Sequence, residues 1–131
     1  MKLRNSVAGI ALRGKDLFIA RRLPGGDQGG KWEFPGGKVR EGESDQDALI
    51  REFEEELRAP VEVLSYLASA EFIHGDTRFT LRAYRVTLLC ESFTLSVHSR
   101  WRWASFAELK TLDFADSDRL LFPALDRAFA L

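Results

Sequence analysis

Cysteine is almost missing from this chain. Cys90 is the single one, so no internal disulfide can form, and a reducing compartment fits, with Cys90 read as a buried core thiol. Long hydrophobic runs are missing as well. No segment approaches the ~20 apolar residues of a membrane span. The N-terminal apolar stretch, Val7 to Leu12, is too short for a signal-peptide core and runs straight into charges. The expectation is a cytoplasmic protein with no membrane partner. An excess of one charge sign is lacking too. Lys and Arg number 19 against 20 Asp and Glu, for a net charge of −1. That excludes a global pull toward nucleic-acid polymers or acidic lipid surfaces, so an anionic ligand would have to be selected by a local site. Repeats, low-complexity tracts and linkers are absent, and nothing chooses between a monomer and a homodimer. What is present is 131 residues, 45% hydrophobic and 30% charged. This predicts one globular domain over 1–131 with a sizeable core.

Strands are expected where apolar runs are short. Val7 to Leu12 and Leu17 to Arg21 flank Arg13-Gly14-Lys15-Asp16 and read as a hairpin with a glycine turn. Leu23 to Gly30 holds four glycines and a proline and reads as a mobile loop. Trp32 to Phe34 is a short strand stopped by Pro35-Gly36-Gly37. Val61 to Phe72 and Arg78 to Leu89 are further strands joined through His74-Gly75-Asp76-Thr77, and Trp101 to Ala104 is another. Ser105 is expected to cap a short helix through Leu109. The tail, Asp118 to Leu131, is helical in pattern, broken or restarted at Pro123.

The clearest element is a helix from Ser44 to Leu57. Ser44 is a good N-cap, Asp47 follows three residues on as in a capping box, and Leu49, Ile50, Phe53 and Leu57 recur at helical spacing as the buried stripe. Arg58 and Pro60 end it. One strong central helix and a terminal one, surrounded by strands, predict a mixed α/β domain with a curved sheet sandwiched between helices.

That helix has a second face. Glu52, Glu55 and Glu56 stand at i, i+3 and i+4, so three carboxylates project to one side. Such a set repels itself unless a cation sits among it. Oxygen donors at that spacing suit a hard ion such as Mg²⁺, with Mn²⁺ as a substitute. A solvated acidic face is the plain alternative. Gly36-Gly37, ahead of the helix, permit a tight turn whose carbonyl or N–H could face a metal or phosphates.

The stretch 37–59, GKVREGESDQDALIREFEEELRA, resembles the Nudix box. Gly37, Glu43, Arg51, Glu52, Phe53, Glu55 and Glu56 match. At about 5–7% usage per residue type, the six fixed matches coincide by chance on the order of once in ten million placements. Arg58 departs, standing where the family has a glycine just past the helix, a C-terminal device. Outside the box, the run Lys31 to Lys38 is similar to the box entry of MutT-type enzymes and CTP pyrophosphohydrolases. So are Arg21-Arg22, Trp103 to Phe106, and Phe114 to Arg119.

The resemblance implies a Nudix fold and a nucleoside triphosphate pyrophosphohydrolase that clears oxidised or modified nucleotides. It implies Glu52 as general base, Glu55 and Glu56 as metal ligands together with Glu52 itself, and the Gly37 carbonyl as a further ligand. Arg51 would orient a glutamate by ion pairing and Glu43 would support the metal shell, unless the two form an ordinary helix-stabilising pair. Lys38 would contact phosphates. For the base pocket it implies Arg22, Phe34 and Asp118, with Arg78 a weaker candidate that reads better as an exposed hairpin charge. Phe34 could instead be a core ring, and Asp118 a helix cap. Many relatives carry a glutamate just ahead of a histidine before the last strand. Here His98 keeps the histidine position, more often a structural role, and Val97 stands in place of the glutamate, which puts more weight on Glu52. Competing readings are hydrolysis of ADP-ribose or a dinucleoside polyphosphate, and a non-catalytic binding module. The complete set of box glutamates argues against the last.

Overall fold

The computed structural model describes all 131 residues. The chain runs β1 (Lys2–Ile10), β2 (Leu12–Arg13), β3 (Asp16–Arg22), β4 (Trp32–Glu33), β5 (Gly36–Lys38), α1 (Asp45–Leu57), β6 (Val61–His74), β7 (Thr77–Leu88), β8 (His98–Ala104), α2 (Phe106–Leu109), α3 (Asp116–Arg119) and α4 (Phe122–Phe129). Two four-stranded sheets result. One has the order β5-β1-β7-β6; the other joins β2, β3 and β4, with β8 on β3. The β1–β7 pair is parallel and the rest are antiparallel, so the sheet structure is mixed, as expected, though split in two.

The end of β1 and the middle of β3 are buried on both faces, and their alternation shows why. Val7 and Ala11 of the β1–β2 segment, and Phe18 of β3, pack with Ala48, Leu49, Phe53 and Leu57 of α1. Their neighbours Ala8, Ile10, Leu17 and Ile19 point the other way, into a core closed by Phe106, Leu109, Leu121, Phe122 and Leu125 of the C-terminal helices. A period of two thus feeds two helical layers, one on each side. Gly9 lets α1 come close: a Cβ there would lie 2.5 Å from Phe53 Cε1. Each large side chain fully buried from α1 contributes about 1.5–3 kcal/mol over exposure.

Several elements differ from the sequence reading. Val7 to Ile10 do not form a hairpin with Leu17 to Arg21. They lie between β5 and β7, and only Leu12 and Arg13 pair with β3. The turn at Gly14 (φ +64°) is where it was expected. Gly36-Gly37 do not stop the chain; they open β5, paired with β1 so tightly that a Cβ on Gly36 would lie 2.0 Å from the Val7 carbonyl oxygen. Ile50, expected inside, is 42% exposed, and Ala48 fills the stripe instead. β8 begins three residues earlier than expected, at His98. The tail is two helices, with Pro123 in the first turn of the second.

Candidate active site

Ser44 begins α1 in extended conformation, and its side chain accepts from the Asp47 N–H at 3.0 Å. At the other end Arg58 adopts the left-handed conformation, φ 53°, and its N–H bonds the carbonyls of Phe53 and Glu54. The chain makes the glycine-type helix end without the glycine. The N-terminus is also pinned from outside: Asp45 accepts from Arg82 at 2.6 and 2.7 Å and from the Tyr84 hydroxyl at 2.6 Å. α1 is thereby held in register with β7, and its polar face is fixed.

Arg51 is the organiser of that face. Its Nε and Nη2 donate to the two Glu43 oxygens at 2.8 and 2.9 Å, Nη1 to Glu52 at 2.8 Å and Glu55 at 3.3 Å, and Nη2 also to the Lys38 carbonyl at 3.0 Å. One guanidinium therefore joins the loop before the helix, strand β5 and two helix carboxylates. The Arg51 hydrogen bonds hold the Glu43 carboxyl down at about 2, helped by the Arg40 N–H; the same contacts raise Arg51 further above its already high value.

Gly37 lies against Glu52. A Cβ on Gly37 would be 2.6 Å from the Glu52 carboxyl carbon. On the inner side of Glu52 sits Glu56, whose Oε1 is buried without a hydrogen-bond partner. Burial pushes the Glu56 carboxyl up to about 9, and the Glu52 and Glu33 carboxyls beside it add to this. Glu55 is on the outer side, half exposed, paired with Arg51 and with Arg40 at 3.6 Å. Glu33 of β4 is buried, accepts from Arg22 Nη1 at 3.1 Å, and faces His98 Nε2 at 3.1 Å. Glu33, Glu56 and His98 each place a donor atom within 4.8 Å of the others. Hard oxygen donors and a buried carboxyl oxygen with nothing to bond fit a divalent cation, which would stabilise the ionised carboxylates that proximity otherwise disfavours.

An open cleft of about 740 Å³ reaches Lys38 of β5, and the carboxylates of the cluster are not among its walls. Lys38 lines it at the box end, Arg4 and the Phe72 and Phe79 rings along the sheet, and Ser117 at the start of α3. Its size suits a nucleotide-sized ligand. Phe72 and Phe79 stack at 4.9 Å across the β6–β7 hairpin.

The structure brings Lys38, Glu43, Glu52 and Glu55 together on Arg51, Gly37 against Glu52, and Arg22 and Glu56 beside Glu33. Two expectations are corrected. The Phe34 ring is 3% exposed and packs on Phe114 and Phe122, so it is a core ring and not a base-flanking one. Arg78 is exposed at the far end of β7, paired in register with Leu3 and Ile73, and is not among the cleft walls. Asp118 is buried; its Oδ2 accepts from the Phe34 N–H at 2.8 Å and its Oδ1 from Ser117 Oγ at 3.2 Å. Burial first, then the Glu33 charge, lifts its carboxyl to about 7. Sequence reasoning missed Glu33 and the Asp45–Arg82–Tyr84 tie. A signal for Glu33 was available: a lone charge between Trp32 and Phe34 in a strand buried on both faces must have a partner.

Residues 2–125 match the NUDIX domain family. The CTP pyrophosphohydrolase of Escherichia coli (strain K12) is 34% identical over 131 residues, covering 100% of this chain and 95% of that protein. The 8-oxo-dGTP diphosphatase of Proteus vulgaris is 35% identical over 86 residues, 66% of this chain and 77% of that one. Among solved structures, the E. coli ORF135 protein superposes with a TM-score of 0.84 at 32% identity, covering 98% of this chain and 93% of that one. No helix is long and apolar enough to cross a membrane.

Proposed function

The chain belongs to the Nudix hydrolase family, and from that premise we propose that it is a Mg²⁺-dependent nucleoside triphosphate pyrophosphohydrolase. It converts an NTP or dNTP and water to the nucleoside monophosphate and pyrophosphate. Its substrates are oxidised or otherwise modified nucleotides of the guanine or cytosine type, in keeping with the names of its relatives, an 8-oxo-dGTP diphosphatase and a CTP pyrophosphohydrolase.

The observation that carries this reading is the Arg51-clamped helix face. Glu52 is held between Arg51 and the Gly37 backbone, with the unpartnered Glu56 oxygen behind it, and Lys38, next to Gly37, lines the cleft. Glu52 takes the proton of the attacking water, and Arg51 and Glu43 keep Glu52 in place. Glu52, Glu55, Glu56 and the Gly37 carbonyl would hold Mg²⁺. When bound, Mg²⁺ neutralises charge on the phosphate oxygens and favours ionisation of water. Lys38 attracts the phosphate chain, and Arg22 and Asp118 contact the base. The water oxygen bonds to phosphorus, the bridge between α- and β-phosphoryl groups breaks, and pyrophosphate leaves.

The test is a nucleotide screen on the purified protein with Mg²⁺, reading pyrophosphate against inorganic phosphate, with ADP-ribose and a dinucleoside polyphosphate alongside. Pyrophosphate from a modified triphosphate, abolished by excess chelator, is expected. Undiminished turnover in chelator, or preference for a two-headed substrate, overturns the reading.

A further inference from the structure

His98 opens β8 with its side chain entirely buried. Nε2 is 3.1 Å from Glu33 Oε2, and Nδ1 has no partner at all. Glu56 Oε1 is likewise buried and unpartnered. One donor atom from each of Glu33, Glu56 and His98 lies within 4.8 Å of the other two. They come from β4, α1 and β8, so the tertiary fold assembles them. A histidine buried only for packing has both ring nitrogens satisfied in most structures, and this one does not. Glu33 does not need it as a charge partner, because Arg22 already supplies one at 3.1 Å.

We propose that Glu33, Glu56 and His98 form a mixed oxygen–nitrogen cation site that favours a borderline divalent ion such as Mn²⁺ over Mg²⁺. Mg²⁺ demands an octahedron of oxygens and sheds water reluctantly. An imidazole nitrogen in the donor set shifts the balance toward transition metals. The Arg22 guanidinium offsets one of the two carboxylate charges, which weakens the site for any hard ion held by charge alone. The site lies on the inner side of Glu56, the residue it shares with the proposed catalytic Mg²⁺ set, and it rests on that reading only through this shared ligand.

The experiment uses Mn²⁺ alone with the purified full chain. Pulsed EPR reads ¹⁴N coupling on bound Mn²⁺, and continuous-wave EPR reads affinity. Imidazole nitrogen coupling is expected in the wild type. It should persist in His74→Ala, since His74, the other histidine, lies at the end of β6. It should vanish in His98→Gln, with Mn²⁺ affinity falling about tenfold or more while Mg²⁺ affinity, read by competition, scarcely changes. The wild-type spectrum needs no variant to fold. Bound Mn²⁺ without nitrogen coupling overturns the His98 site and leaves the cation dependence of hydrolysis standing. Failure of the wild type to bind either ion overturns both.

Discussion

At Gly37 the backbone comes so close to Glu52 that a side-chain carbon would sit 2.6 Å from the carboxyl carbon. Gly37 has no left-handed φ, so alanine is compatible with its backbone and the clash is with the carboxylate alone. Gly37→Ala should therefore keep its thermal midpoint close to wild type. Misplacing a reacting group by about 1 Å costs on the order of 10²-fold in rate, and kcat should fall by about that much. Glu52→Gln should lower kcat by about 10² or more, the usual contribution of a general base. If both act on one group, the double variant should be no worse than Glu52→Gln. Steady-state kinetics on the three proteins decide this. Additive losses would mean that Gly37 acts elsewhere.

Helix α1 shows what local pattern reveals and what it hides. Its start, its apolar spacing and its acidic face are all readable from the chain, because each depends on residues a few positions apart. Ile50 was misjudged because the sequence gives the width of a helix stripe only roughly, and Gly9 narrows the contact to the Phe53 side. The end of the helix was readable in position but not in form. Arg58 takes φ 53°, which costs a residue with a Cβ about 1–2 kcal/mol. Arg58→Gly should stabilise by about 1 kcal/mol once the added chain entropy is subtracted, raising the midpoint by ~3 °C. The exposed Arg58–Glu54 contact at 3.6 Å is too weak to reverse this. A lower midpoint would disprove the strain. The other end carries a pH prediction. The Arg82 hydrogen bonds hold Asp45 below its usual range, so the ionised form is favoured by folding. That stability is fully present above the unfolded-state value near 3.9 and is lost as pH falls through the lower folded value. Arg82→Met should cost about 1 kcal/mol near neutrality and show a shallower loss below about pH 4. Urea midpoints from pH 7 to pH 2.5 should converge at the acid end; parallel curves would rule out the pair as the source.

Across the whole molecule, legibility ends where contacts leap along the chain. Glu52, Glu55 and Glu56 of α1 are read from their helical spacing, and Gly37, Glu43 and Arg51 from the resemblance of 37–59 to the Nudix box, all within one helix and the strand and turn before it. Glu33 and His98 were not joined, because 65 residues separate them and only the β3–β4 and β3–β8 pairings bring them side by side. The swapped sheet partners of β1 escaped for the same reason: a parallel β1–β7 register leaves no local signature. Asp118 is the case where two roles coincide. Its Oδ2 ties α3 to β4 through the Phe34 N–H, 84 residues away, while its neighbour Ser117, which donates to Oδ1, lines the cleft. Deleting the side chain would confound the roles, since a buried N–H left unpaired costs about 1–3 kcal/mol whatever the base site does. Asp118→Asn separates them. The amide oxygen still accepts from Phe34, and at a pH above the carboxyl's value of about 7, where Asp118 is ionised, the amide nitrogen replaces an acceptor with a donor. If Asp118 reads the base, Asp118→Asn should keep nearly the wild-type midpoint yet reorder kcat/KM among dGTP, 8-oxo-dGTP, dCTP and 5-methyl-dCTP, because a reversed hydrogen bond leaves the former best base unpaired. Asp118→Ala should lose both the midpoint and the preference. An unchanged order in the asparagine protein would leave Asp118 as a tie between α3 and β4 and nothing more.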